Sequence, residues 1–387
     1  MNDNKPPHAP SFAAPAARPG VNVPPRGARA LLAAAIAINT LAPPALAQDK
    51  PQPPSPADGA KLNPVRGDEI TPAQEAAVAK GLAWLAQAQA RDGAYGQGGG
   101  SNKHAGITAL AGLAFMQAGN LPGRGKYGEN VQKCLDFILA SCQESGLIAA
   151  DQSHGPMYGH GFATLFLGEI YGMTGDENVK EKLQRAVRLI QKTQNREGGW
   201  RYQPVPYDAD ISVTITQVMG LRAARDAGIK VEKDVIDNAI KYVRACRNPD
   251  GGYSYMANSG GGGGSGFART AAGVATLFYA GIYEGDEISS GLNYLKQFTP
   301  GKGQGGAEVE GHYFYGNYYA VQAMFLAGGD YWATFYPAIR DQLIARQDRS
   351  GMWSGEAGQD YGTAMALIIL QMPNRYLPVY TGKGPGS

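Results

Sequence analysis

The chain has 387 residues, 43% of them hydrophobic and 18% charged, with a formal net charge of +2. That length holds one large domain or two ordinary ones, and the near-neutral balance excludes the broad basic face that nucleic acid or an anionic membrane demands. Glycine is abundant at 54 residues, yet its placement is periodic, which excludes a low-complexity chain.

Residues 1–47 carry a basic start at Arg26 and Arg29, an apolar run from Ala30 to Ile38, and the small-residue exit Ala45-Leu46-Ala47. Those are the three parts of a secretory signal peptide, and the run is too short to anchor a chain across a bilayer. Residues 48–70 are Pro-rich and polar and read as a linker. The expectation is an exported protein, periplasmic or secreted, with no transmembrane segment in the mature chain. Thr71-Pro72-Ala73-Gln74 then has the pattern of a capping box with Pro at the first helical position. The folded domain is predicted to span 71–372, with a tail at 373–387 lying irregularly on the surface.

Gln89-Ala-Arg-Asp-Gly93-Ala-Tyr95 recurs as Gln194-Asn-Arg-Glu-Gly198-Gly-Trp200 and as Gln347-Asp-Arg-Ser-Gly351-Met-Trp353. With weaker copies included, the glycines fall at 93, 146, 198, 251, 301 and 351, a spacing of 50 to 53 residues. Each copy follows an amphipathic helix. Val179, Leu183, Val187 and Ile190 form one apolar stripe, with Lys180, Glu181, Lys182 and Arg188 on the other face. The glycine is expected to end that helix as its left-handed cap. The helix after each copy is apolar nearly all round, as in Thr108 to Met116, Thr270 to Ala280 and Thr363 to Met372, which is the signature of burial. Twelve helices in two layers follow, amphipathic outside and buried inside. An open solenoid is the structural alternative, but it needs distinct polar caps that the terminal repeats lack.

The Q-x3-G-x-W pattern resembles the QW motif of squalene and oxidosqualene cyclases, shared in weaker form by protein prenyltransferase β subunits. The resemblance covers nearly all of the mature chain. It implies an all-α fold, an α/α toroid of six helical hairpins, whose inner-helix N-termini face a cavity mouth. It also implies a structural role for Trp200 and Trp353.

Aligned on the repeat, the inner helices start at His104-x3-Thr108, His160-x3-Thr164, Asp210-x3-Thr214, Gly266-x3-Thr270, Tyr313-x3-Asn317 and Gln359-x3-Thr363. Positions i and i+4 share a helix face, so these residues are expected to form a polar ring at the cavity edge. His104, Arg269, His312, Tyr313, Tyr315, Asn317, Asp360 and Tyr361 are the candidate cavity residues. Asp208-Ala209-Asp210 resembles the DxDD motif of class II terpene cyclases. On that match Asp210 would be the general acid, Asp208 the like charge that keeps it protonated, and His160 an acid–base partner across one helix interface. Ile211 stands where the motif has its last Asp. The competing reading makes Asp and Thr at these starts helix caps.

A metal site from His160, Asp210 and His312 with Glu308 or Glu310 has usable ligand types but no known spacing, and no cofactor is expected. The Asp-x-Cys that prenyltransferases use for zinc is missing, so protein prenylation is not expected. Cys134 and Cys142, eight residues apart in one predicted helix, are about 12 Å apart along its axis, too far for a disulfide. Ser259 to Gly266 lacks the Lys of a phosphate loop and reads as a mobile segment near the mouth. The leading functional expectation is a cavity for an apolar or amphiphilic small molecule, with Asp-based acid catalysis. The alternatives are a non-catalytic toroid that binds a ligand or protein, resembling complement thioester domains without their Cys-Gly-Glu-Gln, and a glycan-processing enzyme with paired carboxyls.

Overall fold

The computed structural model describes residues 67–97, 102–150, 155–257, 263–301 and 311–381. The expected signal peptide, most of the linker, the tail beyond Thr381, much of the Gly-rich run, His154, Glu308 and Glu310 lie outside the described residues.

Twelve α-helices make up the described residues, with one small hairpin of β1 (Gly96–Gln97) and β2 (Asn102–Lys103). The outer layer is α1 (Pro72–Ala88), α3 (Gly128–Ala140), α5 (Glu177–Thr193), α7 (Lys233–Ala245), α9 (Asp286–Lys296) and α11 (Gly329–Arg346). The inner layer is α2 (Ala105–Gln117), α4 (Met157–Thr174), α6 (Ile211–Asp226), α8 (Phe267–Tyr279), α10 (Tyr313–Ala327) and α12 (Gln359–Leu370). Periodicity assigns the layers correctly. In α5, Val179, Leu183, Val187 and Ile190 are buried while Glu181 and Arg188 are exposed. In α2, all thirteen residues are buried.

The inner helices pack in sequence, α2 on α4, α4 on α6, α6 on α8, α8 on α10 and α10 on α12. α12 then packs on α2, which closes the ring and removes the solenoid alternative. The first outer helix seals the same seam, since α1 packs on α12. Its start is capped as the sequence predicts, with Thr71 Oγ accepting from the Gln74 N–H at 3.2 Å and Gln74 Oε1 accepting from the Thr71 N–H at 3.3 Å. No described helix is long and apolar enough to cross a membrane.

The repeated motif is a clamp across three helices. Its glutamine donates twice, to the carbonyl of the motif glycine and to a carbonyl on a neighbouring outer helix. Gln89 reaches Gly93 and Asn130 of α3 at 3.1 and 3.0 Å. Gln194 reaches Gly198 and Val235 of α7 at 2.8 Å each. Gln347 reaches Gly351 at 2.8 Å and Ala77 of α1 at 2.9 Å, so the last clamp ties the chain back to its first helix. The motif aromatic donates backwards, Tyr95 to Leu85, Trp200 to Ile190 and Trp353 to Leu343, each at 2.8 Å. Its backbone N–H goes forward to a threonine hydroxyl of the following inner helix, Thr108, Thr214 or Thr363, at 2.9, 3.1 and 3.0 Å.

Three expectations need correction. The motif glycine is not the helix cap: α5 ends at Thr193 with an extended Gln194, and Gly198 follows in the turn with φ 101°. A Cβ there would stand 2.1 Å from the carbonyl oxygen of Asn238 on α7, so close approach of the next outer helix fixes the glycine. Cys142 lies beyond α3, which stops at Ala140, and is half-buried; Cys134 and Cys246 are buried, and all three are free thiols. Finally, the described part of the expected tail, residues 373–381, is not superficial, because Leu377, Val379 and Tyr380 are buried.

Gly198→Ala combines a left-handed backbone with a steric overlap, so it should cost more than about 2 kcal/mol in denaturant unfolding. A loss below about 0.5 kcal/mol would mean that α7 simply retreats.

Candidate functional site

The first turns of all six inner helices surround a cavity of about 1180 Å³. Ile107, Leu110 and Phe162 give it apolar wall, and Tyr158, Tyr202, Tyr255, Tyr315 and Tyr361 line the rest with Arg201, Arg269, His104, His312, Ser212 and Glu356. Every inner helix contributes the residue two before its aligned Thr or Asn: Gly106, Phe162, Ser212, Ala268, Tyr315 and Tyr361. Two residues turn about 200° around a helix, which is why the threonines face the clamp and these positions face the cavity.

Of the expected cavity residues, His104, Arg269, His312, Tyr315 and Tyr361 line it. Three do not. Tyr313 points to the outer layer, where its hydroxyl donates to Gln342 Oε1 of α11 at 2.8 Å. Asn317 is buried and donates to the Tyr313 carbonyl at 2.9 Å. Asp360 is buried, and its Oδ2 accepts from the Gly96 N–H of β1 at 3.0 Å. Helical rotation turns all three from the lumen, by about 200° for Tyr313 and Asn317 relative to Tyr315 and by about 100° for Asp360 relative to Tyr361.

The three catalytic candidates are also set back from the lumen. Asp210 caps α6 and has 0% of its side chain exposed. Its Oδ1 accepts from the Val213 N–H at 2.8 Å and from Ser212 Oγ at 2.6 Å. Burial pushes its carboxyl above the usual range, against the opposing pull of Ser212, the Val213 N–H, Tyr255 and Arg201. Asp208 gives its charge to Arg201 rather than to Asp210, in an ion pair of 2.5 Å with its side chain 37% exposed. Arg201 Nε stands 3.5 Å from Asp210 Oδ2, and its guanidinium lies 5.2 Å from the Tyr202 ring centre. His160 falls inside α4, which starts a turn earlier than the alignment suggests, at Met157. Its Nδ1 accepts from the Ile148 N–H at 3.1 Å, and burial depresses its pKa to about 4, so the ring is neutral.

Beside Asp210 stands a layer of hydroxyls, of which sequence reasoning named Tyr315 and Tyr361 and missed Tyr158, Tyr202, Ser212 and Tyr255. Tyr158 OH shares a hydrogen bond with Ser212 Oγ, and Tyr202 OH shares one with Tyr255 OH. Tyr315 OH donates to the Ser212 carbonyl at 3.1 Å, and Tyr361 OH donates to Glu356 Oε1 at 3.3 Å. Burial raises the Tyr158, Tyr255, Tyr315 and Tyr361 hydroxyls, which keeps them neutral donors. Ser212 was findable beside Tyr315 and Tyr361 as the third column of the repeat alignment. Arg201, Tyr202 and Tyr255 arrive on loops and leave no periodic signal. Among the described residues no group of three His, Cys, Asp or Glu is placed to hold a metal ion.

Residues 162–325 match the squalene-hopene cyclase C-terminal domain, and residues 62–147 match the prenyltransferase alpha-alpha toroid domain. The chain belongs to the squalene cyclase-like superfamily. No curated protein matches it in sequence. Among solved structures, an α-1,6-mannanase of family GH76 from Salegentibacter sp. HEL1_6 is similar, with TM-score 0.59 at 10% identity over 77% of this chain and 98% of that one. A type II terpene cyclase from Scytonema gives TM-score 0.55 at 13% identity over 79% and 99%. A GH76 α-mannanase of Bacteroides thetaiotaomicron gives 0.57 at 12% identity over 78% and 96%. At such identities the likeness is one of fold.

Asp210→Ala removes the cap of α6 and should cost about 1–2 kcal/mol, whereas Asp210→Asn, a comparable cap, should retain most of that stability. Denaturant unfolding checks both. Equal losses would assign the stabilisation to the carboxylate's pairing with Arg201.

Proposed function

We propose that the protein binds an amphiphilic small molecule inside the toroid. The apolar part rests on Ile107, Leu110 and Phe162, and the polar part meets the tyrosine hydroxyls, Arg201 and Arg269. The observation that carries this reading is the composition of the lumen: a cavity open at its mouth, whose lining combines apolar side chains with neutral hydroxyl donors and two guanidinium groups. Tyrosine faces and hydroxyls serve ligands with both characters, because each ring is apolar in body and polar at its tip.

Acid catalysis is the second reading, and a specific feature favours it. Asp210 holds its proton more tightly than an ordinary carboxyl. Ser212 donates to Asp210 in this arrangement; a proton leaving Asp210 for the ligand would pass along Ser212 Oγ and Tyr158 OH once the Ser212 hydroxyl turns to donate to Tyr158. Direct protonation, which a class II cyclase acid performs on its substrate, would need Asp210 in the lumen. The glycan reading needs two carboxyls facing the ligand at about 5–10 Å. Glu356 is the one carboxyl among the described lining residues, since Asp360 is turned to β1.

Calorimetric titration with geranylgeraniol and with α-1,6-mannotriose separates the readings. The prenyl alcohol should bind and the sugar should not, and Ala268→Trp, which fills the lumen, should weaken that binding at least about tenfold. Binding of the sugar alone would replace this proposal with the glycan reading.

A further inference from the structure

The end of the ring away from the mouth is closed by residues 372–381, which form two 3-10 turns, Met372–Asn374 and Pro378–Thr381. The cavity does not reach this end: every inner-helix residue that lines it lies in or just before the first two turns. Hydrogen bonds and an ion pair fasten the segment. Asn374 Nδ2 donates to the Gln117 carbonyl at the end of α2 at 2.8 Å, and Arg375 pairs with Glu69 at 3.2 Å. Tyr380 OH meets Tyr318 OH of α10 at 3.2 Å, and the Val379 N–H donates to Glu169 Oε1 of α4 at 3.2 Å.

The last of these is the unusual one. Glu169 is a buried carboxyl in an inner helix, and its Oε2 has no donor within hydrogen-bond distance among the described residues. The groups that face it are Arg222 and Asp226 of α6, Tyr279 of α8, Tyr318 of α10 and Tyr380 of the closing segment itself. Arg222 is the one cation among them. It is committed to Asp226, with Nε and Oδ2 2.6 Å apart, and Arg225 stands 3.8 Å from the same carboxylate; Glu169 feels Arg222 only at a distance and has no ion pair of its own among the described residues. A charged carboxylate in that place is costly, and one with an exit to water would take it.

We propose that residues 372–381 are a releasable plug, seated while Glu169 is neutral and expelled from the ring when Glu169 ionises. The direction follows from proton linkage. Burial, opposed by the Val379 N–H and reinforced by Asp226, pushes the seated carboxyl up to about 8 from a reference of 4.5. In the released state Glu169 meets water and regains the ordinary value. The seated form thus binds a proton that the released form gives up, and seating weakens as pH rises from the ordinary carboxyl range through about 8. Release uncovers the apolar faces of Leu377, Val379 and Tyr380 and opens the closed end of the ring.

Hydrogen exchange on the full chain tests this, reading the amides of Leu377 to Tyr380 against those of α8 as an internal reference. After correction for intrinsic rates, protection at 377–380 should fall at least about tenfold between about pH 6 and about pH 9, with α8 unchanged. In Glu169→Gln the profile should be flat, and Glu169→Leu, a second neutral variant, should behave alike. A flat profile in the unsubstituted protein overturns the proposal. So does the same fall in either variant, or a fall shared equally by α8.

Discussion

A glutamine side chain at the end of an outer helix has two N–H groups, and in this protein both are spent on backbone carbonyls that hold helices to one another. One goes to the turn glycine and the other to the neighbouring outer helix, as with Gln194 on Gly198 and Val235. The turn then presents an aromatic whose N–H meets a threonine on the next inner helix, as with Trp200 and Thr214. Each bond contributes only about 1 kcal/mol net. Burial of the inner wall supplies the larger part, about 1.5–3 kcal/mol for each large apolar side chain. The clamp decides something else: the angle and distance at which each hairpin meets the next. Because the last clamp reaches Ala77 of α1, the sixth repeat lands on the first and the layers close.

Closure makes the two ends of the inner helices unequal. At their N-termini the chain leaves space, and His104, Ser212, Arg269, Tyr315 and Tyr361 converge on a lumen. At the far end the space is filled by Leu377, Val379 and Tyr380 and by a buried polar network around Glu169, Arg222 and Asp226. The mouth is polar because helix starts need capping groups and their dipoles favour acceptors there. The same demand explains why Asp210, the most suggestive acid in the chain, is occupied. It satisfies the Val213 N–H and Ser212, and it sits one layer behind the surface that a ligand touches. A carboxyl so placed can stabilise α6 and still influence the lumen through Ser212, Tyr158 and Tyr255. Capping and chemistry are not exclusive at this position, but they act at different distances.

Much of this molecule is legible in its sequence. A glycine spacing of 50 to 53 residues, two kinds of hydrophobic period and the Q-x3-G-x-W turn are local properties, and each has a local physical cause. The capping box at Thr71, the outer stripe of α5 and the all-round apolar α2 appear as expected for that reason. The alignment also found the correct threonine register. It put the threonine stripe itself at the cavity edge, because a shared i, i+4 stripe says which residues lie together and not which neighbour they meet. Tyr315 and Tyr361 were expected in the cavity, but Gly106, Phe162, Ser212 and Ala268, at the same place two residues before the aligned Thr, were not.

The sequence by itself therefore determined the unit: two helices, a clamped turn, a fixed period, and the family to which that unit belongs. These follow from interactions within about one repeat, where the chain's own covalent spacing limits the outcomes. Only the tertiary structure decided closure on α1, the retreat of Asp210 behind a hydroxyl layer, the lumen's tyrosines and the buried seat of Val379 against Glu169. Each of those joins residues far apart in the chain, or turns a side chain by part of a helical revolution. No periodicity encodes either, since both depend on what packs opposite.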